Sequence, residues 1–285
     1  MKRQKRVAAI HDISCFGRCS LTVALPIISS AGIECAVVPT AVLSTHTGGI
    51  DGYTFHDLTD EIMPIAKHWK SLDLEFDAIY TGYLGSFHQL DIVSSLFDLL
   101  GSNDTLKVVD PVMADNGVLY KSFPADFPKG MRKLCAKADI IVPNITEAVL
   151  MLDEPYQEGP YTADYIETLL RKLGEIGAKQ VVLTGVHFDD KQLGAAAYDC
   201  ETGEVEYSFA GWIEGYYHGT GDVFGSALVA ALLRGFDLPE ATEEAVRFTV
   251  GSIARTKAAG TDIRFGVNFE SGLEELATRL NIKTR

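Results

Sequence analysis

Residues 219–235 read GTGDVFGSALVAALLRG. Glycines at 219 and 221 let the backbone come close to a ligand and lead straight into a small-residue apolar helix. The unpaired N–H groups of its first turn then form an anion site. Asp222 stands at that junction. If the anion is a phosphoryl group in transit, the amides of Gly219, Thr220 and Gly221 stabilise its charge while Asp222 takes the proton of an attacking hydroxyl. The same residues are also ordinary helix-capping chemistry, because an Asp near a helix start satisfies free amides. The rest of the chain has to separate the two.

The 285 residues are 47% hydrophobic and 22% charged, which is enough to bury a large core, and one α/β domain over 1–285 is the economical organisation. A formal charge of −14 argues against nucleic acid or an anionic membrane as a general partner, while leaving room for a local basic pocket. The start, MKRQKR, is basic, but the apolar run behind it is broken by His11 and Asp12. Neither a signal peptide nor a membrane span fits that pattern, so a cytoplasmic protein is expected. The cysteines, Cys15, Cys19, Cys35, Cys135 and Cys200, are scattered and odd in number, which suits reduced thiols. Cys15 and Cys19 lack the second pair that a zinc site needs.

Along the chain, short apolar runs alternate with amphipathic segments. RVAAIHD (6–12) predicts a buried strand, SLTVALPIISSAG (20–32) a helix ending at Gly32, and ECAVVPT (34–40) the next strand. After the polar loop STHTGGIDG (44–52) comes a helix over roughly 56–70, then the strand DAIYTG, a helix ending near Gly101, and the strand LKVVDP. ADIIVPN (138–144) and KQVVLTG (179–185) are further strands. GAAAYD and EVEYSFAG, split by CETG, predict an antiparallel hairpin at one edge. The sum is a mainly parallel central sheet with helices on both faces.

Ligands of such sheets collect at the carboxyl ends of the strands. Standing there are His11 and Asp12, Thr40, Gly82 and Tyr83, Asp110, Asn144, and Thr184 with Gly185. Each alone is turn chemistry. Together with GTGD they describe a cleft with carboxylates for a metal, hydroxyls and amides for phosphates, and an acid–base group. No GxxxxGK[ST] motif occurs and no GxGxxG follows a strand, so P-loop and dinucleotide-binding readings lack their glycines.

HGTGDVFGSALVAALLRG (218–235) resembles the C-terminal signature of the ribokinase-like superfamily, and VVDPVMADNG, ADIIVPNITEAVLML and VVLTG are similar to motifs of its vitamin-kinase branch. That branch contains the pyridoxal kinases and the hydroxymethylpyrimidine kinases. The segments AIHDIS, YTGYLGS and PNITEA look like the second group. Asp222, which usually has a Cys counterpart in that group, resembles the first, as do the loop VLSTHTGG and Tyr83. The resemblance implies ATP-dependent phosphorylation of the hydroxymethyl group of a B6 vitamer (pyridoxal, pyridoxamine or pyridoxine). Hydroxymethylpyrimidine is the alternative acceptor, and a nucleotide- or vitamer-binding regulator the non-enzymatic one.

What the resemblance implies for roles is Asp222 as general base, with Gly219, Thr220 and Gly221 holding the developing charge. Asp115 and Glu147 would hold Mg2+ directly or through water, Asp110 would arrange that region, and Asn144, Thr184 and Thr220 would contact the nucleotide phosphates or the metal shell. Thr45, His46 and Tyr83 would line the vitamer pocket. Asp12, or Ser14 if the alignment slips, stands where a Ser usually meets the ring nitrogen, and Val142 stands where a phosphate-side Thr is common. A carboxylate at the ring nitrogen would favour the pyridinium form. The segment ADNGVLYKSFP (114–124) is a candidate lid, and a homodimer is what the family implies.

Overall fold

Val7, Ala8, Ala9 and Ile10 are all fully buried, which a strand manages only with both of its faces covered. They belong to β1 (Arg6–Ser14) of a computed structural model that describes residues 3–281. There follow α1 (Leu21–Ser30), β2 (Glu34–Leu43), β3 (Phe55–Asp57), α2 (Thr59–Ser71), β4 (Ala78–Thr81), α3 (Phe87–Leu100) and β5 (Leu106–Val109). Next come β6 (Ala114–Asp115), β7 (Val118–Leu119), α4 (Phe127–Cys135), β8 (Ile140–Ile141), α5 (Ile145–Leu152) and α6 (Ala163–Gly174). The chain then forms β9 (Gln180–Val186), β10 (Gln192–Asp199), β11 (Val205–Gly211), α7 (Thr220–Leu233), α8 (Leu238–Ala259) and α9 (Leu273–Leu280).

The main sheet has the order β11-β10-β9-β8-β5-β4-β1-β2-β3. From β9 to β2 neighbouring strands are parallel, and the expected hairpin β10–β11 adds antiparallel strands to one edge. The helix that follows β1 and the helix that follows β4 pack on opposite faces, so the carboxyl ends of these neighbouring strands open a crevice at the switch point. Helices α2 to α6 bury one face, and α1, α7, α8 and α9 the other. From Val223 to Ala231 every residue of α7 is buried, which explains its uniformly small and apolar sequence. Among the described residues no helix is long and apolar enough to cross a membrane.

Two local elements go beyond the sequence expectation. The helix predicted from about 56 begins at Thr59, because Phe55–Asp57 pairs antiparallel with Ala41–Leu43 as an edge strand. All three residues are exposed, so no burial pattern marks them. Within the candidate lid 114–124, β6 and β7 form a small hairpin around Asn116 and Gly117, both at positive φ (49° and 76°). Asn-Gly is the residue pair that such a tight turn demands, and it was there to be read.

Leu228 is fully buried in α7 between sheet and helices. Leu228→Ala is expected to cost about 2–5 kcal/mol through lost burial and the cavity left behind. Urea unfolding measures this, and a loss below about 1 kcal/mol would mean that α7 does not carry the packing of this face.

Candidate active site

At the end of β1 the ladder to β2 slips: His11 pairs with Pro39 and Ile13 with Val42, so Asp12 lies in the irregularity. Its buried carboxylate accepts from Ser14 Oγ at 3.1 Å and from Ser20 Oγ at 2.5 Å. Burial raises the proton affinity of Asp12, and the two serines oppose that shift. Ser14 is therefore turned onto Asp12 rather than toward a ligand. His11 is fully buried and pushed down to about 3, so its ring stays neutral.

Gly219 precedes α7 at φ 74°, and a Cβ there would lie 1.9 Å from the Arg18 carbonyl oxygen, so only glycine fits. Gly221 faces open space, which is where a ligand can reach the backbone. Thr220 Oγ1 donates to the Tyr217 carbonyl at 3.1 Å and so serves the loop before the helix. The N-cap of α7 is Gly219, which has no side chain to offer, and Asp222 stands in the first turn of the helix. Its carboxylate faces the backbone N–H of Ser20, which favours its charged form. Burial pushes Asp222 up to about 7, with the nearby Asp12 charge adding and the Ser20 N–H opposing.

A second group of acids stands at the ends of β5 and β8. Asn144 and Glu147 form a reciprocal capping box on α5, each side chain accepting the other's N–H at 2.9 Å. The other Glu147 oxygen accepts the Met113 N–H at 3.1 Å. Asp115 accepts from Tyr120 Oη at 2.5 Å, Tyr216 Oη at 2.9 Å and Asn144 Nδ2 at 3.2 Å. Burial, then the charges of Asp222 and Asp115, hold Asp110 well above the ordinary carboxylate range. Burial, Asp110 and Asp115 do the same to Glu147. Crowded oxygen donors of one sign suit a hard cation. Because both Glu147 oxygens already accept backbone N–H bonds, a metal fits there through water more readily than by direct contact. Among the described residues no group of three or more His, Cys, Asp or Glu is arranged to hold a metal by itself.

The remaining predicted residues fall around this rim. Thr184 bridges to Asn144 across the strand ends, its hydroxyl 3.4 Å from the Pro143 carbonyl oxygen. Val142 is buried in the core, so that position offers no polar group to a phosphate. Tyr83 Oη lies 3.5 Å from Ser122 Oγ, which ties the β4 end to the chain just beyond β7. Thr45 Oγ1 is buried without a hydrogen-bond partner among the described residues. His46 Nδ1 accepts the Gly48 N–H at 3.1 Å and Nε2 meets the Arg264 carbonyl, so both ring nitrogens are used by the protein itself.

Sequence patterns alone passed over Tyr120, Tyr216, His218 and Ser20. Tyr216 spans from the loop before α7 to Asp115, and its ring meets His218 at 4.9 Å, which in turn lies 5.1 Å from His46. His218 adjoins Gly219 in the quoted motif, a signal that was available; Ser20 looked only like a helix start.

An unfolded Asp ionises near 3.8 and folded Asp222 near 7. Its burial penalty is thus absent below about pH 4, grows as pH rises between the two values and is complete above about 7. Asp222→Asn should stabilise the protein above pH 7 by on the order of 2 kcal/mol, with the gain shrinking toward pH 5. Unfolding of both forms across that range checks it; a difference that ignores pH would contradict the shift.

Against known families, residues 25–266 match the family model described as phosphomethylpyrimidine kinase. Among solved structures, a Bacteroides thetaiotaomicron protein provisionally described as a phosphomethylpyrimidine kinase, crystallised with pyridoxal, is 40% identical with a TM-score of 0.90, over 98% of this chain and 96% of that one. Pyridoxal kinase from Lactobacillus plantarum is 33% identical with a TM-score of 0.88, over 98% and 99% of the two chains. A chloroplastic thiamine biosynthetic bifunctional enzyme of Arabidopsis thaliana is 28% identical over 82% of this chain, and the match takes in only 43% of that longer protein. A family match over most of the sequence agrees with the parallel sheet and its rim of acids: the chain belongs to the phosphomethylpyrimidine kinase family and has the ribokinase-like fold.

Proposed function

We propose that this kinase transfers the γ-phosphoryl group of ATP to the hydroxymethyl group of a B6 vitamer, with Asp222 as general base. The observation that carries the reading is Asp222 itself: a buried carboxylate raised to about 7, three positions into α7 and beside the open face of Gly221. The acceptor hydroxyl oxygen forms a bond to the γ-phosphorus as the bond from that phosphorus to the ADP leaving oxygen breaks. The hydroxyl proton passes to Asp222. A base with affinity near neutrality is about half ionised at pH 7 and is strong enough to take that proton. The amides of Gly219, Thr220 and Gly221, at the positive end of α7, stabilise the charge on the transferring group.

On the nucleotide side, Asp115 and Glu147 would hold Mg2+ through water, with Asp110 beside them. Bound there, magnesium neutralises phosphate charge. Asn144 donates to both carboxylates, from its Nδ2 to Asp115 and from its backbone N–H to Glu147, and Thr184 offers a hydroxyl at the same rim. The β6–β7 hairpin, with Val118 65% exposed, is suited to cover the phosphates and exclude water. On the acceptor side, Asp12 retains lone pairs beyond those used by Ser14 and Ser20, so a pyridinium N–H can be its third donor. Tyr83, Thr45 and the His46 loop would line the vitamer side of the cleft.

Support for a vitamer comes from the relative crystallised with pyridoxal and from the 33% identity to a pyridoxal kinase over nearly the whole chain. The family description and the thiamine biosynthetic relative favour hydroxymethylpyrimidine as a second acceptor. A panel of pyridoxal, pyridoxamine, pyridoxine and hydroxymethylpyrimidine with ATP and Mg2+ decides between them. The vitamers should turn over faster. For the vitamer, kcat/KM should climb with pH to a plateau above about 7, the sign expected of a base that must lose its proton. Asp222→Asn should lower kcat by about 10²–10⁴-fold, and Asp12→Ser should change the ranking of vitamers. Saturable binding without turnover of any acceptor would instead mean a regulator.

A further inference from the structure

Ser20 holds φ 56° and ψ −134°, a region that side-chain-bearing residues rarely adopt. The start of α1 does not call for it. Helix N-caps ordinarily sit in the β region and bond the helix amides through their side chain, and Ser20 makes no such bond. Its hydroxyl donates to Asp12 Oδ1 at 2.5 Å, and its backbone N–H faces the Asp222 carboxylate and favours the charged form of that group. Its carbonyl oxygen accepts from Val23 and Ala24. The residue is buried and bridges back to Ile13 of β1, so its strained backbone is held from both sides.

One residue thus grips two acids that reach the cleft from different elements, Asp12 from β1 and Asp222 from α7. We infer that Ser20 is a positioning residue that sets the spacing between Asp12 and Asp222, and so selects acceptors by the distance from ring nitrogen to hydroxymethyl group. This rests on the proposed roles of those two carboxylates. The twisted backbone is what allows the N–H and the hydroxyl to point at separate acids. A β-region serine at this position would direct its hydroxyl at the α1 amides instead.

The test is Ser20→Gly, which tolerates the positive φ and keeps the N–H but removes the hydroxyl. With pyridoxal the acceptor KM should rise about tenfold, the loss expected for a charge-assisted hydrogen bond, and with hydroxymethylpyrimidine by a different factor, so that the preference between the two acceptors changes. The KM for ATP should hold within about twofold. Because the hydroxyl acts through Asp12, Ser20→Gly should add less than about twofold in an Asp12→Ala background.

An unchanged acceptor KM, a parallel rise for ATP, or effects that multiply in the double variant would each overturn the inference. Asp222→Asn is measured alongside. Lost turnover there, with no effect at Ser20, overturns the role of Ser20 alone; retained turnover removes the base, and with it the pair that Ser20 spaces. Should neither acceptor turn over, the calorimetric Kd for pyridoxal replaces KM and must show the same tenfold change.

Discussion

Holding several carboxylates out of water at one rim of a parallel sheet is the constraint on which the rest of this structure depends. Each such group is costly to bury unless donors meet it. Asp12 has two serine hydroxyls, Glu147 two backbone N–H groups, and Asp115 two tyrosines and an asparagine. Asp222 has the N–H of Ser20. Several of these donors are local, but Tyr216 reaches Asp115 from 101 positions away, and Met113 and Asn144 reach Glu147 and Asp115 from 34 and 29 positions, so the ordering of these acids depends on how α5, the β6–β7 hairpin and the approach to α7 pack. The residual mismatch appears as raised proton affinities, and a raised carboxylate is what a base working near neutrality requires.

The loops over the rim are fastened by the same chemistry. Arg18 presses its carbonyl oxygen under Gly219, Tyr216 reaches Asp115, and His218 lies between Tyr216, which it meets edge-on, and the tilted ring of His46. The loop that follows β1, the loop that follows β2, the approach to α7 and the β6–β7 hairpin therefore share contacts. Movement of one is felt by the others through rings and hydroxyls. Such fastening suits a cleft that has to align two substrates, since the gain from proximity is lost when reacting atoms drift by about an ångström.

Much of the fold is visible in residue pattern. Fully buried parallel strands leave apolar runs such as VAAI and VVL, and a helix packed on all sides leaves the small-residue run of α7. The edge strand β3 left no such trace, because it is defined by backbone pairing to β2 and its side chains face solvent. The β6–β7 hairpin was announced by Asn116-Gly117, but its strands are too short for periodicity to show.

The candidate site divides in the same way. Sequence by itself determined which chemical groups stand at the strand ends and that Gly219 and Asp222 open α7, because strand ends, turns and helix starts are local features. Only the tertiary structure decided how they are used. It set the buried Asp222 carboxylate facing Ser20, turned Ser14 and His46 onto protein partners, buried Val142 and brought Tyr216 to Asp115. The reason is physical. A side chain's surroundings are set by whatever lies beside it after folding, and what faces Asp222 is a residue some two hundred positions away in the chain.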